Sequence, residues 1–204
     1  MTLHALDFDG TLTTRDTLLV FISHARGRWS LFRGLLLYSP LLVLMKLHLA
    51  DNGRTKERLF SYFFRGMLER DFEALCTSFA REHTVILRKK GLRTIQQALD
   101  NGDSVVVLSA SIDRWVRPCL SLFFGQPASS QFAVLGTQIE VVDGRLTGRF
   151  ATPNCYGAEK VRRLREWLSL SSHPSPLKTI AYGDSRGDKE LFDYADERHY
   201  KPFR

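Results

Sequence analysis

Two carboxylates, Asp7 and Asp9, stand two residues apart and are followed at once by Gly10 and Thr11. If the apolar run Leu3 to Phe8 is a strand, its period of two lets both acids point to one side. At about 4 Å and an effective dielectric of about 20, two such charges repel by about 4 kcal/mol unless a cation or a proton intervenes. A hard metal ion resolves that conflict. Gly10 permits a sharp departure of the backbone and close approach of a ligand, while the Thr11 hydroxyl can hold the loop. Far along the chain, GDSRGD at positions 183–188 supplies two more acids: Asp184 as a direct ligand and Asp188, about one helical turn on, as a supporting one. Neither Cys nor His attends these acids, so an all-oxygen donor set favours Mg²⁺ over zinc.

Between the two acidic stretches lies SVVVL, a buried-strand signature that ends at Ser109. Ala110 to Ile112 are expected to open a helix whose free N–H groups suit an oxyanion, which makes Ser109 and Ala110 a phosphate seat. Lys160, near the start of its own helix, can set a positive charge against transferring phosphoryl oxygens. Asp16, just beyond the first acids, reads as a helix N-cap.

The elements that must bring these residues together follow from periodicity. A strand over 3–8 is followed by a helical stretch from Asp16 to about His83, with breaks expected near Gly27, Pro40, Asp51 to Gly53, and Gly66. A helix ending at Asn101-Gly102 precedes the strand over 104–108, and another runs from Ile112 to Phe124. A strand near Phe132 to Leu135 leads to a β-hairpin, Ile139 to Val142 and Arg145 to Phe150, turning at Asp143-Gly144. Helix Ala158 to Leu168, a Ser/Pro-rich loop over 169–176, strand Lys178 to Tyr182, helix Lys189 to Ala195 and a short strand at His199 to Lys201 complete the pattern. Strands alternating with helices imply an α/β fold, a Rossmann-like, mostly parallel sheet flanked by helices, with an inserted all-helical cap and the hairpin. Its ligand crevice lies at the carboxyl ends of the strands. The expected division is 1–15 with 84–204 as the core and 16–83 as the cap.

Composition narrows the rest. A chain of 204 residues with 44% hydrophobic and 25% charged residues can bury a real core, and no repeat or low-complexity tract interrupts it. A net charge of +7 favours phosphate-bearing partners. The basic residues are scattered, without zinc spacing or a recognition-helix pattern, so nucleic-acid binding is not expected. Cys76, Cys119 and Cys155 are odd in number and far apart, as free thiols in a reducing compartment would be. With no secretory signal visible, a cytoplasmic location is the expectation. Oligomeric state is not readable.

In order, DFDGTLT, the SAS of Ser109 to Ser111, Lys160 and GDSRGD resemble the four motifs of the haloacid-dehalogenase-like hydrolase superfamily, and the match spans nearly the whole chain. The helical insert looks like the cap of its phosphoserine-phosphatase-like branch, and CYGAEKVRRL resembles that branch's approach to its motif lysine. The resemblance implies that Asp7 is the nucleophile and Asp9 the general acid and base, with Ser109 and Lys160 binding the phosphoryl group. It also implies Mg²⁺ held by Asp7, the Asp9 backbone carbonyl and Asp184, with Asp188 in support, and it makes Asp16 a candidate substrate contact, since relatives that bind phosphoserine carry an acid there against the substrate amine. The expected reaction is hydrolysis of a small phosphomonoester through an aspartyl phosphate. Asp9 separates this from dehalogenation, because an ester leaving group needs a proton and a halide does not.

The segment Leu31 to Leu49 is strongly apolar and follows Arg26, Arg28, Trp29 and Arg33. Its longest uncharged stretch, Gly34 to Met45, falls short of the ~20 residues of a spanning helix and contains Pro40. Two cap helices packed on each other are expected, with peripheral membrane contact as the alternative. Lipid contact would bring a lipid phosphate or phospholipid headgroup within reach as an alternative substrate. A noncatalytic phosphate- or lipid-surface-binding module is the reading from another class, and the intact Asp7 and Asp9 oppose it.

Overall fold

The computed structural model describes residues 1–47, 49–126, 131–170 and 178–204. Its centre is strand β1 (Thr2–Asp7), flanked by β2 (Ser104–Ile112) and β6 (Lys178–Gly183) and, further out, by β3 (Phe132–Thr137) and β7 (Glu197–Tyr200). The order is β3-β2-β1-β6-β7, and every neighbouring pair is parallel. Alternation along β1 sends Leu3 and Ala5 to one face, against Leu164 of α7 (Ala158–Leu170) and Leu191 of α8 (Lys189–Tyr194). Leu6 faces the other way, into a larger core with Ile95 of α5 (Lys89–Asp100) and Trp115 of α6 (Asp113–Phe124). Helices thus cover both faces, the arrangement an all-parallel sheet requires. The loop expected over 169–176 falls largely outside the described residues.

Four helices intervene between β1 and α5: α1 (Thr17–Arg26), α2 (Arg28–Lys46), α3 (Asn52–Phe64) and α4 (Glu69–Glu82). Asp16 and Asp51 cap α1 and α3 by accepting the Leu18 and Arg54 amides at 2.9 and 2.7 Å. Phe21 of α1 stands at the middle of the insert, its ring 4.5 Å from that of Trp115, centroid to centroid, and within 5.6 Å of Phe64, Phe72 and Phe79.

Pro40 does not break the chain. One helix, not two, spans 28–46. Proline lacks the N–H that would bond the Leu36 carbonyl, and the Ser39 hydroxyl donates to that carbonyl instead, at 2.8 Å. Gly34 lets α2 nest on α3, since a Cβ there would lie 2.3 Å from the Phe63 ring.

The hairpin β4 (Ile139–Val142) and β5 (Arg145–Phe150) turns at Asp143-Gly144, both at positive φ, 50° and 68°. It belongs to neither face of the main sheet. It packs on the helical insert: the Gly66 amide donates to the Leu146 carbonyl at 2.7 Å, the Leu146 amide to Met67 at 2.9 Å, and the Phe60 and Phe150 rings meet at 5.9 Å.

Candidate active site

β1 ends at Asp7 as a buried strand, and the chain then coils tightly through 8–12, with Gly10 at φ 79°. Strand geometry therefore stops before Asp9, and the expectation that a period of two aims both acids alike does not hold. Asp7 points to the lysine of α7: its Oδ1 accepts from Lys160 Nζ at 2.6 Å, and its Oδ2 from the Thr11 hydroxyl at 2.9 Å. Asp9 turns the other way. Its Oδ1 accepts the Thr17 amide at 2.8 Å and the Thr17 hydroxyl at 2.6 Å, and its Oδ2 accepts the Ser111 hydroxyl at 2.6 Å. Ser109 Oγ lies 3.5 Å from the same oxygen. The Gly10 amide is spent on Thr13 Oγ1 at 3.1 Å, which closes the turn.

The expectation that Ala110 to Ile112 open a helix is also overturned. β2 runs on to Ile112, pairing it with Thr137 across an irregularity, and α6 begins only at Asp113. Pairing with β3 outweighs the indifferent propensities of Ser-Ala-Ser. The Ser111 amide donates to Ser109 Oγ at 3.0 Å, so in this conformation it is not a free anion donor. Helix N-terminal amides are not what surrounds Ser109 and Ala110.

The GDSRGD stretch leaves β6 in a single turn of 3₁₀ helix over 186–188. Asp188, fully buried, accepts with Oδ2 from the amides of Asp184 and Ser185 at 3.1 and 3.0 Å, and with Oδ1 from Lys160 at 2.6 Å. Gly183 permits this fold-back: a Cβ there would lie 2.6 Å from the Asp188 carboxyl carbon. Asp184 reaches over Gly10, where a Cβ would come within 2.5 Å of its carboxylate. Carboxylate oxygens of Asp7, Asp184 and Asp188 all lie within 4.8 Å of one another.

Electrostatics follow from that convergence. Burial pushes the Asp7 carboxyl up to about 7 against the pull of Lys160, with Asp188 and Asp9 adding to the rise. Burial opposes the Lys160 charge, but Asp7 and Asp188 override it and hold the ammonium charged well beyond its ordinary range. Asp184 is raised by burial, while Arg204, whose guanidinium donates to its Oδ2 at 2.5 Å, works in the opposite direction. Three carboxylates face two cations, leaving an excess of negative charge inside the protein. An all-oxygen set with that excess fits a hard divalent cation.

The fold brings Asp7, Thr11, Lys160, Asp184 and Asp188 into one cluster, with Asp9, Ser109 and Ser111 beside it. Asp16 serves as the cap of α1. Residues the motif reading passed over include Thr17, whose hydroxyl accepts from Trp115 Nε1 at 3.2 Å while holding Asp9, and Arg204. Lys56 of α3 is another: it is close enough to Asp16 to favour its charge, and it lines a small cavity with Ser111, Ile112 and Trp115. No spacing in the sequence marks these, because each arrives from a separate element. A surface cleft of about 680 Å³ between α4 and α6 contains none of the clustered acids. The strand-end cluster, not that cleft, has the chemistry.

A family model described as haloacid dehalogenase-like hydrolase matches residues 5–193. Protein CicA of Caulobacter vibrioides is 33% identical over 206 residues, covering 98% of this chain and 86% of that protein. A histidinol-phosphatase of Neisseria meningitidis is 28% identical over 157 residues, covering 75% of this chain and 63% of its own length. Among solved structures, a Bordetella pertussis protein of unknown function superposes with a TM-score of 0.81 at 20% identity, covering 97% of this chain and 88% of that one. A substrate-bound phosphoserine phosphatase does so at 0.65 and 16%, covering 96% and 83%.

Proposed function

We infer the reaction from one premise: the chain belongs to the haloacid dehalogenase-like hydrolase family and is a phosphoric monoester hydrolase. The proposed substrate is a small phosphomonoester, and the proposed route passes through an aspartyl phosphate on Asp7. One observation carries this reading: Lys160 grips Asp7 and Asp188 at 2.6 Å each, inside a cluster of three carboxylates, with a second acid, Asp9, anchored separately alongside. An acid fixed but not neutralised by lysine is suited to attack, and one held by hydroxyls and an amide is suited to exchanging protons.

In the first half, an Asp7 oxygen forms a bond to phosphorus as the ester oxygen leaves with its electron pair and takes a proton from Asp9. In the second, a water oxygen attacks phosphorus, Asp9 accepts its proton, and the phosphorus bond to Asp7 breaks, restoring the carboxylate. Ser109, with the turn at Gly10 and Thr11, is proposed to border the phosphoryl oxygens, and Lys160 to offset their charge. Mg²⁺ would be held by Asp7, Asp184 and the Asp9 carbonyl, with Asp188 steadying Lys160 and the 184–185 backbone; when bound, it neutralises charge on the transferring phosphoryl group. Residues 16–83 are proposed as a cap over a core of 1–15 and 84–204, with Asp16 and Lys56 on the side facing substrate. The three buried free cysteines support a reducing, cytoplasmic setting.

The test is hydrolysis of p-nitrophenyl phosphate and of a panel of amino-acid, amino-alcohol, sugar and lipid phosphates, with Mg²⁺ and with chelator. Acid quenching during turnover of a ³²P-labelled substrate should trap radiolabelled protein that hydroxylamine discharges, and Asp7→Asn should trap none. Absence of hydrolysis across the panel would remove the reading. A second reading, a phosphatase of lipid phosphates or phospholipid headgroups at a membrane surface, is favoured by the exposed apolar side chains of α2, and preference for the lipid members of the panel would support it.

A further inference from the structure

We propose that α2 docks lengthwise on an anionic lipid bilayer, lying in the plane of the surface. Trp29, Phe32, Leu36, Leu37, Val43 and Leu47 are 82%, 58%, 64%, 62%, 56% and 60% exposed. Trp29, Phe32, Leu36, Val43 and Leu47, at intervals of three, four or seven residues, draw one stripe along a helix about 28 Å long, with Leu37 on its flank. The opposite side, through Leu31, Gly34 and Tyr38, is the one that packs on the protein, so the stripe is not the residue of a misplaced core face. In a soluble protein, isolated exposed apolar residues need no explanation, whereas a continuous band marks a contact surface.

Charge identifies the occupant. From Thr17 to Ala50 the sequence holds neither Asp nor Glu, while Arg28, Arg33 and Lys46 stand exposed on α2 itself. A second copy of the chain would set these cations against one another. Anionic headgroups complement them, and Trp29 next to Arg28 at the helix start suits the level where headgroups meet acyl chains. Among the described residues no helix is long and apolar enough to cross a membrane, so the helix lies on the surface and does not span it. The docking holds whichever phosphate is hydrolysed and does not require a lipid substrate.

The experiment uses the full chain with phosphatidylcholine vesicles, with and without phosphatidylglycerol, at low and high salt. Co-sedimentation is expected with the anionic vesicles, weakened by salt and scarce with the neutral ones, together with a blue shift of Trp29 emission. The triple variant Phe32→Ser, Leu36→Gln, Leu37→Gln should lose binding by roughly tenfold or more. Its hydrolysis of a soluble ester should be unchanged, since these exposed side chains are outside the site. Arg28→Gln with Arg33→Gln should weaken anionic binding and flatten its salt dependence. Failure of the wild-type chain to bind anionic vesicles, or binding that survives the triple substitution, overturns the proposal. So does a dimer in light scattering that the triple variant dissolves while vesicles remain unbound, which would assign the stripe to a second copy. Vesicle binding without hydrolysis of any phosphoester would leave the docking standing and remove the phosphatase reading instead.

Discussion

At the scale of the residue, Asp7 is where function and stability oppose each other. Its folded carboxyl, raised to about 7 by burial, holds a proton that the unfolded chain releases near 3.8. Stability from this group is therefore full below about 4 and is lost as pH rises towards 7. In metal-free protein, Asp7→Asn should flatten that decline and raise the melting temperature at pH 8, and with Mg²⁺ present it should cut turnover by at least roughly 10³-fold. Urea midpoints from pH 4 to 8 check the first part, and identical slopes for the two proteins would refute it. Arg204 occupies Asp184 through a half-exposed ion pair, of a kind worth about 0.2–1 kcal/mol. Arg204→Gln should accordingly lower the Mg²⁺ concentration for half-maximal activity by roughly 1.5- to 5-fold. The acids, Ser109 and Lys160 were legible because their spacing is local to short motifs. Lys56 and Arg204 were not, because the site borrows them from elements far apart in sequence, and Thr17, though only eight residues from Asp9, was not because its role depends on how α1 folds back after the turn.

At the scale of the element, legibility depended on whether local chemistry or a partner decided the conformation. Asp143-Gly144 specified its turn outright, both residues tolerating positive φ. Pro40 misled because a neighbouring hydroxyl makes good the missing donor, and Ser109 to Ile112 misled because β3 claims them as strand. The close fit of β3 to α6 gives a further prediction. A Cβ on Gly136 would lie 2.8 Å from the backbone nitrogen and Cα of Asp113, atoms that cannot yield as a flexible side chain would. Gly136→Ala should cost roughly 1–3 kcal/mol, seen as a melting temperature lower by about 2–4 °C per kcal/mol.

At the scale of the whole molecule, the hairpin is bonded to the inserted helices through Gly66, Met67 and Leu146, and Thr17 of α1 holds Asp9 just beyond the end of β1. Excess negative charge in the cluster predicts that a divalent cation stabilises the entire fold. At 100 times its dissociation constant Mg²⁺ should add about 2.7 kcal/mol, readable by calorimetry, and equal melting with chelator would sink the assignment. The position of β1 has a different consequence. Residues 2–7 are made before either neighbour, 104–112 or 178–183, yet they occupy the middle of the sheet. At about 5–20 residues per second the ribosome needs roughly 10–40 s to pass from Asp7 to Asp188. Until 104–112 follow, roughly 5–20 s after Asp7, the nascent segment has no edge to pair with, and its acids wait longer still for Asp184 and Asp188, so the chain emerges inert and gains its chemistry late.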